Sequence, residues 1–483
     1  MSQRQLLRGL GFVTLTGLVA GNIVGSGIYV VPGTLAADAG PVALLAWVAV
    51  AVAYFPLTLV YGDLANAYPQ SGGLQVYAQR AFGPLAGLIS AFLYWFAGVA
   101  ANAAFVTAFL SYAQVFAPRL RDPLRAFLLA QAVLWSFTLV NIFGVKAGGW
   151  VSVVTTVLKI VPLLVLAAAL LPAAQFSNLQ PLAPRGYGVL LPAIGLVAWL
   201  FNGAESVTVP AEEVRDAGPT IRRAARAGYA LAAGVYLLIA AALALGVAPG
   251  AIAGSASPLA VAARIALGPW GETLLTAGAL VSTAGILNGY LLVVGRIPNA
   301  AARDGVAPAW LAGVHPQFGT PARALVVSAV PTSLLILLYF SETMLAAYQK
   351  VALASTATAL VAIGIACVAQ LVLMRREPER FAPAALRRGW LTAGVGVAVA
   401  LVMIAGVGPE VLGWTAVLAL LPVPYYLTRR RRIAAATVGS GGGTRDNSEV
   451  IASIVASVTI PAGLARSGVC HGSFGSDPGT TQV

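Results

Sequence analysis

Asn22, Gly25, Ser26 and Gly27 stand near the centre of a long apolar run, and Pro32 follows within two turns. Residues of this kind interrupt a helix and free backbone N–H and C=O groups. Hydrocarbon cannot satisfy those groups, so they must face a cavity or a ligand. A half-helix that starts after such a break offers unpaired amides and the positive end of its dipole, a combination suited to a carboxylate. The plainer alternative for the glycines is a close-packing patch, since small residues let helices approach. Two ionisable residues lie equally deep. Glu205 falls mid-span, where a carboxylate costs about 2.5 kcal/mol or more on insertion scales. It is either a protonated, hydrogen-bonded structural acid or a group that exchanges protons. Lys159 lies far from both ends of its apolar run. At about 1.5 Å rise per residue its ammonium does not reach an interface and must point into the protein. It is either a fixed cation bracing neighbouring spans or a group that loses its proton during a cycle.

The elements that hold these residues are set by composition. Of 483 residues, 59% are hydrophobic and 9% are charged, against about 25% charged in a soluble domain. Lipid is therefore the expected solvent for most of the chain, and an all-α integral membrane protein follows. A span needs about 20 apolar residues. Twelve segments meet this, at roughly 10–36, 41–66, 84–116, 124–144, 150–172, 187–213, 224–249, 268–302, 323–341, 345–374, 389–407 and 410–428. The first is expected to be a span rather than a cleaved leader, being too long and lacking a small-residue cleavage site after it.

The net charge of +13 does not point to nucleic acid, because the basic residues sit at the ends of apolar segments, where orientation signals belong. Arg4 and Arg8 precede the first span. Arg80, Lys146, Arg215, Arg222, Arg223, Arg226, Arg303, Arg375, Arg376, Arg380, Arg387 and Arg388 fall in the loops on the same side, as does the run from Arg429 to Arg432. Arg119, Arg121 and Arg125 run against the pattern. The sum places both termini in the cytoplasm of a bacterial inner membrane. After Arg432 the linker-like "GSGGGTRDNSE" opens a stretch, 433–483, read as a disordered cytoplasmic tail.

Residues 25–41, "GSGIYVVPGTLAADAGP", and 203–219, "GAESVTVPAEEVRDAGP", share Gly, VP and DAGP at a constant offset of 178, with seven of seventeen positions identical. On the topology above the two copies run in opposite directions. Opposed copies of one signature mark an inverted repeat, whose corresponding discontinuous helices build a site near the bilayer midplane. The expected architecture is twelve transmembrane helices in one domain over 1–432: a five-plus-five inverted repeat (about 10–172 and 187–374) with helices 1 and 6 discontinuous, and two further helices at 389–428.

At "GLVAGNIVGSGIYVVPG", "YPQSGG", "AWLFNGAESVTVPAEEV" and "NAAARDGVAPAWLAGVHPQFGTP" the chain resembles the amino acid–polyamine–organocation (APC) superfamily. The nearest branches are the bacterial arginine/agmatine antiporters and the L-type amino-acid transporters. The resemblance covers about 1–430. It implies that Gly25, Ser26 and Gly27, with Asn22 beside them, hold a substrate carboxylate. It also implies that carbonyls of a second break from Trp199 through Phe201, Asn202 and Gly203 to Ala204 hold an ammonium. Trp199 would close over the substrate, Asn102 would lie near the side-chain pocket, and Glu205 would serve proton coupling or gating. Tyr290 stands where the arginine/agmatine antiporters carry a stacking tryptophan, Asn202 where they are apolar, and Gln75 where a tyrosine is usual. Tyr290 can still make a cation–π contact. Lys159 matches a lysine of the L-type and proton-coupled relatives that takes the place of sodium, which implies sodium independence. For Trp199 and Tyr290 an ordinary core aromatic, and for Asn102 a plain interhelical hydrogen bond, remain as alternatives.

The sequence carries no GxxxxGK[ST], HExxH or CxxC motif, and His315 and His471 both lie outside the apolar runs. Neither an enzyme, a metal site nor a cofactor is expected. The expected activity is sodium-independent secondary transport of an amino acid or amine by alternating access, as a proton symporter or an exchanger. The alternative is an arginine/agmatine-type antiporter for cationic amino acids and amines, and a more remote one a channel-like membrane protein. The partners expected are the small-molecule substrate, membrane lipid and protons, with a homodimer as an open assembly and no nucleic acid.

Overall fold

The computed structural model describes residues 11–70, 72–143, 148–209, 211, 214, 216–340 and 343–429, with backbone only for 148–153, 249, 339 and 340. The expected tail at 433–483, along with Arg4, Arg8, Lys146 and Arg215, lies outside the described residues.

The described chain is helical throughout. In order the helices are α1 (Phe12–Ile23), α2 (Gly27–Asp38), α3 (Ala43–Ala67), α4 (Leu74–Phe82), α5 (Pro84–Phe116), α6 (Pro123–Phe143), α7 (Gly148–Leu170), α8 (Leu190–Phe201), α9 (Ala217–Gly246), α10 (Pro249–Ile252), α11 (Pro258–Arg303), α12 (Ala322–Leu335), α13 (Met344–Arg376), α14 (Pro383–Val407) and α15 (Pro409–Leu420). Eleven helical stretches among the described residues are long and apolar enough to cross a membrane. The segment expected at 323–341 is shorter: its apolar helix covers Ala322–Leu338, with Pro331 inside α12 and a tighter 3₁₀ turn from Ile336. The short α4 was not read from the sequence, because nine residues with a polar face resemble a loop.

Two apolar stretches contain the expected interruptions. α1 and α2 are separate helices on either side of Val24–Ser26, and α8 stops at Phe201 before a 3₁₀ turn over Ala204–Thr208. The first break therefore sits slightly earlier than the glycines suggested, with Gly27 as the first residue of α2. Trp199, expected within the second break, is in the last turn of α8. α11 bends at Gly268 (φ 72°, ψ −161°), a backbone conformation open to glycine, just before Pro269.

Small residues bring the helices together. A Cβ on Gly98 of α5 would fall 2.2 Å from Val294 of α11. Gly195 of α8 and Gly406 of α14 meet backbone to backbone, where a Cβ would lie 2.5 Å from the facing carbonyl. Such contacts drive association in lipid, where apolar side chains gain nothing by leaving a solvent as apolar as themselves. The packing also encloses polar side chains: Ser26, Asn102, Lys159, Asn202 and Glu205 are all buried. Large apolar side chains such as Val52, Leu391 and Leu401 face outward instead.

Candidate functional site

The two breaks touch. A Cβ on Gly203 would stand 2.7 Å from the carbonyl oxygen of Asn22, so only glycine lets the backbones approach this closely. Gly203 also has φ 119°, a second reason for glycine at this position. The Asn22 amide nitrogen donates to Ser206 Oγ at 2.8 Å, joining the first break to the second directly. Tyr236 of α9 joins them again from the side, its hydroxyl lying 2.5 Å from the Ile23 carbonyl and 3.3 Å from that of Leu200.

At the first break, the Val24 amide donates to Ala20 and that of Gly25 to Ile23 at 2.8 Å. The chain then restarts at Ser26. The first amides of α2 have no intrahelical acceptor, as at any helix start, and they begin at Gly27 beside Leu200 and Trp199 of α8. The Ser26 hydroxyl lies 3.2 Å from that of Tyr348 of α13, and the Trp199 indole nitrogen donates to the same Tyr348 oxygen at 2.8 Å. Ser26, Tyr348 and Trp199 thus close one side of the break by a shared hydroxyl.

At the second break, the freed backbone is met largely by the chain itself. The Gly203 amide donates to both Glu205 carboxyl oxygens, at 3.1 and 2.9 Å. The Gly203 carbonyl accepts from the Ser206 hydroxyl at 2.5 Å, and that of Glu205 from Thr208 at 2.7 Å. The Trp199 carbonyl accepts from the Asn202 amide. Glu205 is buried, and its Oε1 also accepts from the Tyr94 hydroxyl of α5 at 3.1 Å. The Tyr54 hydroxyl donates to Asn202 Oδ1, while Asn202 Nδ2 is buried without a hydrogen-bond partner among the described residues.

Lys159 of α7 is buried, and its ammonium donates to the Gly21 carbonyl at 2.9 Å, within the last turn of α1. Its own carbonyl accepts from Tyr29 of α2 at 3.1 Å. Lys159 therefore spans both halves of the broken stretch. Thr156, one turn earlier, adds a bond to the Gly17 carbonyl at 2.9 Å.

Beside the breaks stands an aromatic trio. Phe105 of α5 lies 5.9 Å from Trp199 and 5.4 Å from Tyr290 of α11, centroid to centroid, the latter edge-on. Asn102, nearly one turn before Phe105, is fully buried, and neither of its amide atoms has a hydrogen-bond partner among the described residues. A buried polar group without a partner costs roughly 1–3 kcal/mol, a cost that a ligand or water at this amide would relieve. Gln75 shares the condition, with both amide atoms buried and unpartnered among the described residues. Phe201 sits apart from the trio, packed among Tyr54, Tyr229 and Tyr236 at 5.3–5.9 Å.

The structure thus groups Asn22, Gly203, Glu205 and Lys159 around the breaks, and Trp199 and Tyr290 around Phe105. Tyr94 and Phe105 enter from α5, of which the sequence reading tied only Asn102 to the site, and Tyr236 and Tyr348 enter from α9 and α13, which it did not. Only α5 carried a signal: Tyr94, Gly98, Asn102 and Phe105 recur at helical spacing on one face. A cavity of about 720 Å³ lies elsewhere, between the start of α1 and the start of α9, lined by Phe12, Pro69, Asp216, Thr220 and Arg223 among others. It contains none of the candidate residues.

Comparison with known proteins identifies the family. A family model described as amino acid permease matches residues 10–424. The chain is similar to the cadaverine/lysine antiporter of Escherichia coli, 32% identical over 337 residues, covering 68% of this chain and 74% of that protein. It is equally similar to uncharacterized transporters of Mycobacterium bovis and Mycobacterium tuberculosis, 32% identical over 333 residues with the same coverage. With a helical membrane architecture and a match across nearly the whole described chain, this protein belongs to the amino acid permease family of the APC superfamily.

Proposed function

We propose that this chain is a sodium-independent secondary transporter that moves an amino acid or amine by alternating access, together with a proton or in exchange for a second substrate. The observation that carries the reading is the meeting of two broken helices at Gly203 and Asn22, bonded through Ser206 and pinned by Tyr236. Two half-helices that share one joint can change their relative tilt while a ligand sits at the joint, and broken helices of this kind build midplane sites in secondary transporters. On this reading the amides from Gly25 to Gly27 take the substrate carboxylate, with Asn22 beside them. Carbonyls of the break from Trp199 to Ala204, including those of Phe201, Asn202 and Gly203, take the ammonium. Asn102 and Tyr290 face the substrate side chain, and Trp199 closes over it. Glu205 is the group that couples or gates, and Lys159 supplies in place of sodium the charge that ties α7 to the first break. The halves are an inverted repeat of five helices each, followed by two more, with both termini in the cytoplasm of the cell membrane.

A basic substrate is favoured by one further feature. The trio of Phe105, Trp199 and Tyr290 offers aromatic faces to a cation, an attraction of roughly 0.5–2 kcal/mol depending on desolvation. The named activity of the Escherichia coli relative, exchange of lysine and cadaverine, supports the same direction.

The test is uptake into liposomes holding the purified protein. Labelled basic and neutral amino acids and linear diamines are offered with and without internal amino acid, with and without a pH gradient, in sodium and in potassium buffers. Saturable uptake accelerated by internal substrate or by the pH gradient, equal in both buffers, is the expected result. Absence of saturable uptake of every amino acid and amine overturns the proposal, and flux that never saturates indicates a channel instead.

A further inference from the structure

Away from the breaks, at the bundle end where α3 finishes and α9 and α14 begin, three arginines surround one acid. Asp63 of α3 has a side chain wholly buried. Arg388 of α14 donates to it at 2.9 and 3.2 Å through one nitrogen, and Arg222 of α9 stands 3.7 Å away. Arg226 follows Arg222 by four residues on α9, which puts the two on the same helix face. Guanidinium groups remain charged in proteins, so among the described residues the one carboxylate paired here leaves two positive charges over. Arg222 turns its Nε toward Asp63, whereas the Nε atoms of Arg226 and Arg388 are buried and make no hydrogen bond among the described residues. Cationic donors in this state call for a second anion with several acceptor oxygens.

Depth and surroundings say which anion. Asp63 lies four residues from the end of α3, and Arg222 and Arg388 lie five residues after the first residues of α9 and α14. At about 1.5 Å per residue that is roughly 6–8 Å inside the helix ends, the level where headgroups meet acyl chains. Trp390, two residues beyond Arg388, is 41% exposed with the Arg375 guanidinium 4.7 Å from its ring centre. An outward tryptophan marks this same boundary. Leu391 beside it is 72% exposed, so the adjoining helix surface is one that acyl chains cover. The side chains of Arg222 and Arg388 are 24% and 32% exposed, open enough for a headgroup to reach them.

We propose that Arg222, Arg226 and Arg388 form a site for the phosphate-bearing headgroup of an anionic phospholipid. Asp63 serves as the fixed counter-charge that holds two of the arginines and draws α3, α9 and α14 together. The headgroup phosphate completes the neutralisation, as basic pockets between membrane helices do for anionic lipids. This site is independent of the transport reading, since it uses none of the residues at the breaks.

The test is native mass spectrometry of the full chain released from membranes of mixed phosphatidylethanolamine and phosphatidylglycerol, paired with thermal melting in detergent. Phosphatidylglycerol is expected to stay bound and to raise the melting temperature, whereas phosphatidylethanolamine and inorganic phosphate at equal concentration do not. Arg226→Gln leaves the Asp63 pairs intact. It is expected to lower retained phosphatidylglycerol roughly five-fold, as befits one basic charge near an anionic surface. Arg303→Gln, at the end of α11, is expected to change nothing. Equal retention by Arg226→Gln, equal loss in Arg303→Gln, or equal stabilisation by inorganic phosphate each overturns the proposal.

Discussion

Asn22 Nδ2 donates to Ser206 Oγ at 2.8 Å across 184 residues of sequence, joining two helices at the points where each is broken. Ser206 passes the contact on, since its hydroxyl donates to the Gly203 carbonyl at 2.5 Å. Asn22→Leu keeps the branched shape but removes the donor and leaves Ser206 short of a partner. The expected cost is about 1–3 kcal/mol of stability, seen as a lower melting temperature in detergent, with a loss of substrate exchange larger than the fall in folded protein.

Gly203→Ala is expected to damage the fold locally. Its φ of 119° and the 2.7 Å approach to the Asn22 carbonyl oppose any side chain. A non-glycine residue in such a conformation costs about 1–3 kcal/mol, and the steric contact adds to it. Thermal unfolding of the purified variant checks this. Gly413→Ala, where a Cβ meets nothing within 4 Å, serves as the control and should melt with the parent.

Glu205→Gln separates charge from shape. The glutamine oxygen can still accept from Tyr94, but its amide group must face the Gly203 N–H that now donates to both carboxyl oxygens. Gradient-driven uptake is expected to disappear while exchange persists at a reduced rate. Undiminished gradient-driven uptake in liposomes removes Glu205 from the coupling step.

Lys159→Met deletes the donor to the Gly21 carbonyl and the buried charge together. Its loss leaves the Gly21 carbonyl without this donor and α7 without its charged tie to the break, and transport is expected to fall at least ten-fold, with parental uptake equal in sodium and potassium. A sodium-stimulated parent, or an unaffected variant, contradicts the role given to this lysine.

Tyr348→Phe tests the shared hydroxyl. Its loss strands the Ser26 hydroxyl and the Trp199 indole N–H, each a buried group whose missing partner costs about 1–3 kcal/mol. A several-fold rise in the substrate KM for exchange is expected, with little change in the amount of protein recovered.

The interrupted helices were legible because their residues contradict their setting. Gly, Ser and Asn grouped at the centre of an apolar run either pack helices closely or break them, and the shared VP and DAGP tied two such runs together. Glu205 and Lys159 were legible for the same reason, as charges placed where lipid should exclude them. The tyrosines were not. Of fifteen in the chain, Tyr94, Tyr236 and Tyr348 matter through the direction of a single hydroxyl, and membrane helices carry tyrosine for many reasons. Asp63 could not be tied to its partners from the sequence, because Arg222 and Arg388 come from helices more than 150 residues away. The bend at Gly268 and the shortness of α12 escaped too, since hydropathy averages over a window longer than either feature.

Tyr236 gives the site a property that neither broken helix has alone. One rigid phenol from α9 reaches the last residue of α1 and the end of α8 at once. A hydroxyl has one hydrogen to donate, so the two carbonyls compete for it. A rocking motion that parts α1 from α8 hands that hydrogen to one side and leaves the other carbonyl bare. The ring then acts as a two-position pointer, and the helix that carries it registers which half-helix has moved.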